Sequence, residues 1–319
     1  MTTRTSDLLL TAIAPAVWGS TYIVTTEFLP NLSPMTVALL RALPAGLLLL
    51  LIARELPTGI WWLRIFILGA LNFSIFWSML FVAAYRLPGG VAATVGAVQP
   101  LIVVFIARAL LGCAIQYVSV LAALVGLAGV ALLVLAPDAA LDPLGVAAGF
   151  AGAVSMAFGT VLTRKWQPPV SLLAFTAWQL TAGSVLLLPT ALLFERAMPI
   201  LTKANLFGLI WLGLLGAALT YALWFRGISR IEPAVLALLG FLSPAMAVLL
   251  GWLFLQESLT LLQIIGVALA LGSIWLGQRT NCATRSSSGK DVSVALNVGP
   301  RGSCPPPSPT STDEPEQGA

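Results

Sequence analysis

The sequence predicts an all-α integral membrane protein, with ten transmembrane helices arranged as two inverted five-helix repeats. Three observations predict it. Hydrophobic residues make up 59% of the chain and charged residues only 9%, whereas a soluble domain carries roughly 25% charged residues. The apolar residues fall into stretches near the ~20 residues that one helix needs to cross a bilayer. One motif also occurs twice, 144 residues apart.

The spans follow from the apolar stretches and their boundaries. The first five cover about residues 8–27, 34–52, 63–84, 89–109 and 117–136. The second five cover about 143–163, 170–193, 204–225, 233–255 and 260–278. Ser33-Pro34, Asp142-Pro143 and Glu232-Pro233 each put a capping residue before a proline at the first helical position. Thr260 with Gln263 fits a capping box. Trp18, Gly19 and Tyr22 in the first span, and the lack of a cleavage region, favour a retained helix over a signal peptide. Residues 279–319 change character, with Ser286-Ser287-Ser288-Gly289, Pro305-Pro306-Pro307 and an acidic end. They read as a disordered tail.

The repeated motif runs from Arg86 to Pro100 and again from Arg230 to Pro244. An offset of 144 carries Arg86 to Arg230, Gly96 to Gly240 and Pro100 to Pro244 without a gap. Gly69 pairs with Gly213 at the same offset, and Trp18-Gly19-Ser20 resembles Phe158-Gly159-Thr160 at an offset of 140. The expected units are therefore residues 1–137, 138–278 and the tail 279–319. Five spans per unit would insert the second unit upside down relative to the first.

The basic residues give the expected orientation. With the N-terminus cytoplasmic, twelve of the sixteen Lys and Arg fall inside and only Arg86, Arg196 and Lys203 outside, while Arg41 lies within a span. The positive-inside rule then predicts both termini in the cytoplasm. All three cysteines, Cys113, Cys282 and Cys304, fall on the reducing side, so no disulfide is expected.

Composition also narrows the chemistry. The chain has no histidine, which removes a Ser-His-Asp triad, an HExxH zinc site and any His general base. Asp7, Asp138, Asp142, Asp291 and Asp313 all lie outside the spans. The cysteines lack metal-type spacing. No catalytic residue, metal or cofactor is expected. The net charge of +4 is spread between apolar stretches, so it does not predict a nucleic-acid partner.

Matched interruptions in two repeats point to a binding site at the midplane of a transporter. Pro100 and Pro244 each free a carbonyl four residues earlier, on Gly96 and Gly240, where no side chain blocks approach. These four are the expected hinge; tight helix packing is the alternative. Gln99 and Ser243 precede the prolines at equivalent positions, and Asn72 lies mid-span opposite Gly216 in the repeat. Each polar group lines a cavity or bonds a neighbouring helix. Trp18 and Tyr22 share a helix face too deep for an interfacial belt, and Trp77 and Tyr221 are equivalent aromatics of spans three and eight. They suit an aromatic wall for an amphipathic metabolite. Trp61 and Trp62, at a span edge, read as belt residues. Arg41 either snorkels outward or holds a substrate carboxylate; its repeat equivalent is Gln179. Glu27 reads as a solvated loop acid, with a proton-coupling group as the alternative.

Trp18-Gly19-Ser20-Thr21-Tyr22 resembles the opening signature of EamA-type members of the drug/metabolite transporter superfamily. So do Arg41 in span two, the Gly96/Pro100 span and the turn Leu255-Gln256-Glu257-Ser258-Leu259 followed by Gly266. The likeness covers about residues 5–278. One departure is Cys113, which stands where the second half has Glu257. The resemblance implies ten helices, cytoplasmic termini, peripheral spans five and ten, and movement of small organic metabolites. The expectation is thus an inner-membrane exporter of amino acids or related compounds, possible drugs included, working by alternating access in a lipid bilayer. The alternatives are a membrane-embedded lipid-modifying enzyme and a non-transporting scaffold.

Overall fold

Every regular element among the described residues is helical, as the long apolar stretches require. The structure is a computed structural model and describes residues 3–87, 89–134, 142–194, 200–256 and 260–296. It divides into a unit from Met1 to Thr280 and a C-terminal unit from Asn281 to Ala319.

The first expected half contains α1 (Thr3–Phe28), α2 (Pro34–Ala53), α3 (Trp61–Gly69), a π-helical segment (Ala70–Ser74), α4 (Ile75–Arg86), α5 (Gly89–Gly96), α6 (Gln99–Leu111) and α7 (Tyr117–Val134). The second contains α8 (Pro143–Lys165), α9 (Leu172–Phe194), α10 (Lys203–Ile210), a π-helical segment (Trp211–Leu219), α11 (Thr220–Arg230), α12 (Pro233–Leu239), α13 (Leu242–Leu255) and α14 (Leu261–Leu296). The two lists match element for element. Both third spans carry a π-helical stretch, and both fourth spans are broken in the middle.

Among the described residues, nine helical stretches are long and apolar enough to cross a membrane, and Tyr117–Leu133 is a shorter apolar helix. Leucines, isoleucines and aromatics such as Leu51, Trp62, Leu193 and Phe254 stand exposed on the outside. In water this would be a large sticky patch; in hydrocarbon it matches the solvent. Packing crosses between the halves: α1 lies on α13, α8 on α6, and α2 on α9. Gly46 meets the Thr181 backbone where α2 crosses α9, and a Cβ there would sit 2.8 Å from the Thr181 nitrogen.

The helix starts divide. Asp142 caps α8 through Gly145 N–H at 2.8 Å, and Thr260 with Gln263 forms the expected reciprocal cap. Ser33 and Glu232 make no side-chain cap; the Ser33 hydroxyl donates to Thr36 Oγ1 instead. Thr202 and Asn205 form a capping box that composition did not flag. The belt expectation for Trp61 is corrected. Trp61 is 8% exposed and packs on Phe175 and Trp178 of α9, whereas Trp62 is 48% exposed. Neighbouring residues point roughly 100° apart around a helix, so only one can face outward.

α14 continues beyond the tenth span to Leu296, its residues from Asn281 belonging to the C-terminal unit. The rest of the expected tail, residues 297–319, lies outside the described residues, as do Glu257 and the side chain of Tyr22.

Candidate functional site

The two broken spans meet expectation in position but not in form. Helix α5 stops at Gly96 and α6 restarts at Gln99, with Pro100 at its second position; α12 stops at Leu239 and α13 restarts at Leu242. A proline early in a helix loses no needed donor. The Gly240 carbonyl is therefore not left free as a simple kink predicts: it accepts from Ser243 N–H at 3.1 Å in a tight i→i+3 turn. Gly240 N–H and Phe241 N–H make similar short turns to Ala237 and Leu238. Gly96 opens on space, with no atom within 4 Å of a Cβ placed there, so no neighbouring helix uses that room. Gln99 and Ser243 are half-buried beside the breaks, and Pro100 is buried.

Arg41 does not snorkel. Its guanidinium lies over the Trp77 ring at 5.0 Å and reaches the Gly216 carbonyl at 3.5 Å. That bond is longer than the usual 2.7–3.2 Å range. Its Nε is buried without a partner. Gly216 sits in the second π-helical segment, and such segments displace carbonyls from the regular ladder and recur at functional sites. Thr220 Oγ1 donates to the same carbonyl at 2.8 Å and accepts from Trp18 Nε1 at 3.0 Å. A polar chain thus runs from α1 through α11 to Arg41 on α2.

Aromatic rings surround this chain. Tyr221 packs on Trp18 at 5.2 Å and on Phe73 at 4.7 Å, and Phe73 meets Trp77 edge-on at 5.3 Å. Trp224 closes against Trp18 at 5.2 Å. Trp18, Arg41, Trp77 and Tyr221 are therefore brought together as expected. Phe73, Thr220 and Trp224 complete the cluster without having been singled out. Trp224 and Phe225 follow Tyr221 by three and four residues, a spacing that shares a helix face and could have revealed them.

Asn72 lies in the first π-helical segment, 1% exposed. Its Nδ2 donates to Gln179 Oε1 at 2.7 Å and to Thr163 Oγ1 at 3.3 Å. A Cβ at Gly159 would overlap its amide. Asn72 thus makes interhelical bonds in this conformation. The contact mirrors Arg41 on Gly216: each joins a second span of one half to the π-helical stretch of the other. Gln99 and Ser243 stand at the helix breaks, at the starts of α6 and α13. Among the described residues no group of three or more His, Cys, Asp or Glu could hold a metal ion.

The likeness to known proteins agrees with this geometry. The pattern of the EamA-like transporter family matches residues 5–135 and again 143–277. Protein PecM of Dickeya dadantii (strain 3937) is 45% identical over 274 residues, covering 85% of this chain and 92% of PecM. The inner membrane transporter YedA of Escherichia coli (strain K12) is 29% identical, covering 74% and 78%. The transporter YvbV of Bacillus subtilis (strain 168) is 27% identical, covering 92% and 97%. A crystal structure superposes with a TM-score of 0.76 at 22% identity, over 88% of this chain and 98% of that one, a likeness of fold. With two copies of the family pattern on nine long apolar helices and a shorter one among the described residues, the chain is a multi-pass membrane transporter and belongs to the EamA-like transporter family.

Proposed function

We propose that the protein exports small organic metabolites, amino acids or related compounds foremost, from the cytoplasm across an inner membrane. The halves 1–137 and 138–278 would rock against each other around a shared midplane site, loosened at Gly96–Pro100 and Gly240–Pro244. Both termini would lie in the cytoplasm, with 279–319 outside the transport unit. No catalytic step is part of the reading.

One observation carries it: a guanidinium inside the bundle with little to hold it. A charged side chain at the membrane centre costs several kcal/mol unless it is paired or lines a wet cavity. Arg41 has one long hydrogen bond among the described residues, one aromatic face and an unpartnered Nε. Its fork geometry fits a carboxylate with two parallel bonds. The rings of Trp18, Trp77 and Tyr221 would take the apolar side of the same molecule. Each half contributes to this cluster, and a carrier opening first to one side and then to the other would hold its cargo between its halves.

The test is flux into inverted vesicles with a panel of amino acids, neutral amphiphiles and organic cations. Arg41→Gln removes a charge-assisted bond worth about 2 kcal/mol, so carboxylate-bearing substrates should lose about thirtyfold in apparent affinity. Neutral substrates should change little. Equal loss for every substrate, at normal protein levels, would make Arg41 structural and end the carboxylate reading.

A further inference from the structure

Ion pairs stand at the two opposite ends of the bundle, two at one and one at the other, and each joins the first half to the second. At one end Asp7, near the start of α1, meets Arg226 at 2.5 Å and Arg230 at 3.4 Å, both late in α11. At the other, Arg86, the last residue of α4, lies 3.6 Å from Asp142, which caps α8. Arg86 and Arg230 are the repeat-equivalent arginines.

Helix α8 measures the separation. It begins beside Arg86 and Asp142. Near its far end Arg164 donates to the Ile228 carbonyl at 2.7 Å, two residues before Arg230. Its 23 residues span about 34 Å at 1.5 Å per residue, close to the ~30 Å of bilayer hydrocarbon. The two ends therefore belong to opposite faces.

The pairs are unequal. Asp7 and Arg226 side chains are 16% and 22% exposed, whereas Arg86 and Asp142 are 47% and 37% exposed. Water and salt screen the second pair more, and its charges stand farther apart. Asp7 also faces two cations, while Asp142 faces one.

We infer that the ion pairs at the two ends are alternating latches of the transport cycle. Asp7 with Arg226 and Arg230 holds one face shut, and Arg86 with Asp142 holds the other. The inference rests on the alternating-access reading proposed above. Opening a face means parting the two halves there, and these contacts are the charged ties that must break. The stronger latch sets the resting state, closed at the Asp7 end. The basic-residue pattern assigns that end to the cytoplasm.

The test uses the full chain in liposomes, with Cys113, Cys282 and Cys304 replaced by serine. Spin labels are placed at Thr5→Cys and Ser229→Cys, on α1 and α11 at the Asp7 end. Their distance distribution reports whether that face is open, without any substrate. Asp7→Asn should raise the long-distance fraction about fivefold, the upper range for a partly exposed ion pair. Arg230→Gln, at an arginine 54% exposed, should shift it the same way by less, and serves if Asp7→Asn does not fold. Adding Arg86→Gln to Asp7→Asn should weaken the opposite latch and lower the fraction again. An unchanged distribution in Asp7→Asn and Arg230→Gln, or a further rise on adding Arg86→Gln, overturns the inference. The readout is distance and not flux. A chain that moves no tested metabolite yet shows these shifts loses the substrate reading and keeps the latches. A chain that exports metabolites with an unshifted distribution loses the latches alone.

Discussion

Gly19 is where one methyl group should do the most damage. A Cβ there would lie 2.7 Å from both Met246 Cβ and the Ser243 carbonyl, and 3.0 Å from Ala247 nitrogen. Ordinary contact begins near 3.4 Å, so α1 would have to back away from α13 by about 0.7 Å. Two of the three obstacles are backbone atoms and the third is the first carbon of a side chain, so no rotamer change relieves the clash. Overpacking of this kind costs about 1–3 kcal/mol. At about 2–4 °C per kcal/mol for a large chain, Gly19→Ala should lower the melting midpoint in detergent by about 4 °C. Gly96→Ala is the control. Nothing stands within 4 Å of its Cβ, and alanine favours helix over glycine by roughly 0.5–1 kcal/mol, so its midpoint should hold or rise slightly. Equal midpoints for the two variants would refute the close approach of α1 and α13.

Asn72→Leu strands the Gln179 amide in a buried site and should cost about 1–3 kcal/mol in unfolding free energy; the Asn72→Leu/Gln179→Leu double variant should recover most of the loss in a double-mutant cycle, and simple additivity would deny their coupling. Pro100→Ala with Pro244→Ala should extend helices α6 and α13 backwards across the breaks and slow flux severalfold at normal protein levels; wild-type rates would end the hinge reading.

Nine spans, a shorter tenth apolar helix and the broken fourth span of each half were legible because their signals are local. Apolar length gives a span, and a Gly-Pro pair gives a break. The offset of 144 residues placed both breaks before any coordinates, to within a residue. What stayed hidden depends on which face of each helix meets which partner. Trp61 looked interfacial from its place at a span edge, but α9 covers its side of the helix. The expected free carbonyl at Gly240 was instead closed by Ser243, since short i→i+3 turns satisfy backbone groups that hydrocarbon would leave costly. The π-helical stretches around Asn72 and Gly216 carry no composition signal at all. They became visible only as geometry, and they hold the Arg41–Gly216 and Asn72–Gln179 contacts of the candidate site.

Those two contacts explain why a duplicated frame can be asymmetric in use. In each, a residue of the second span reaches the π-helical stretch of the opposite half. On one side the reach is Arg41 to the Gly216 carbonyl at 3.5 Å, an oxygen that Thr220 Oγ1 already shares; on the other, Gln179 meets the Asn72 amide at 2.7 Å. The amide pair is short, neutral and buried, so it acts as a tie between halves. The arginine contact is long, charged and only partly answered, so under the proposed function it would exchange its partner for a ligand at little cost. A carrier needs both kinds of contact: one that keeps the halves in register as they move, and one that is better satisfied with cargo than without. Under the proposed function the two roles would fall on equivalent positions, with arginine facing glycine as the cargo contact and glutamine facing asparagine as the tie.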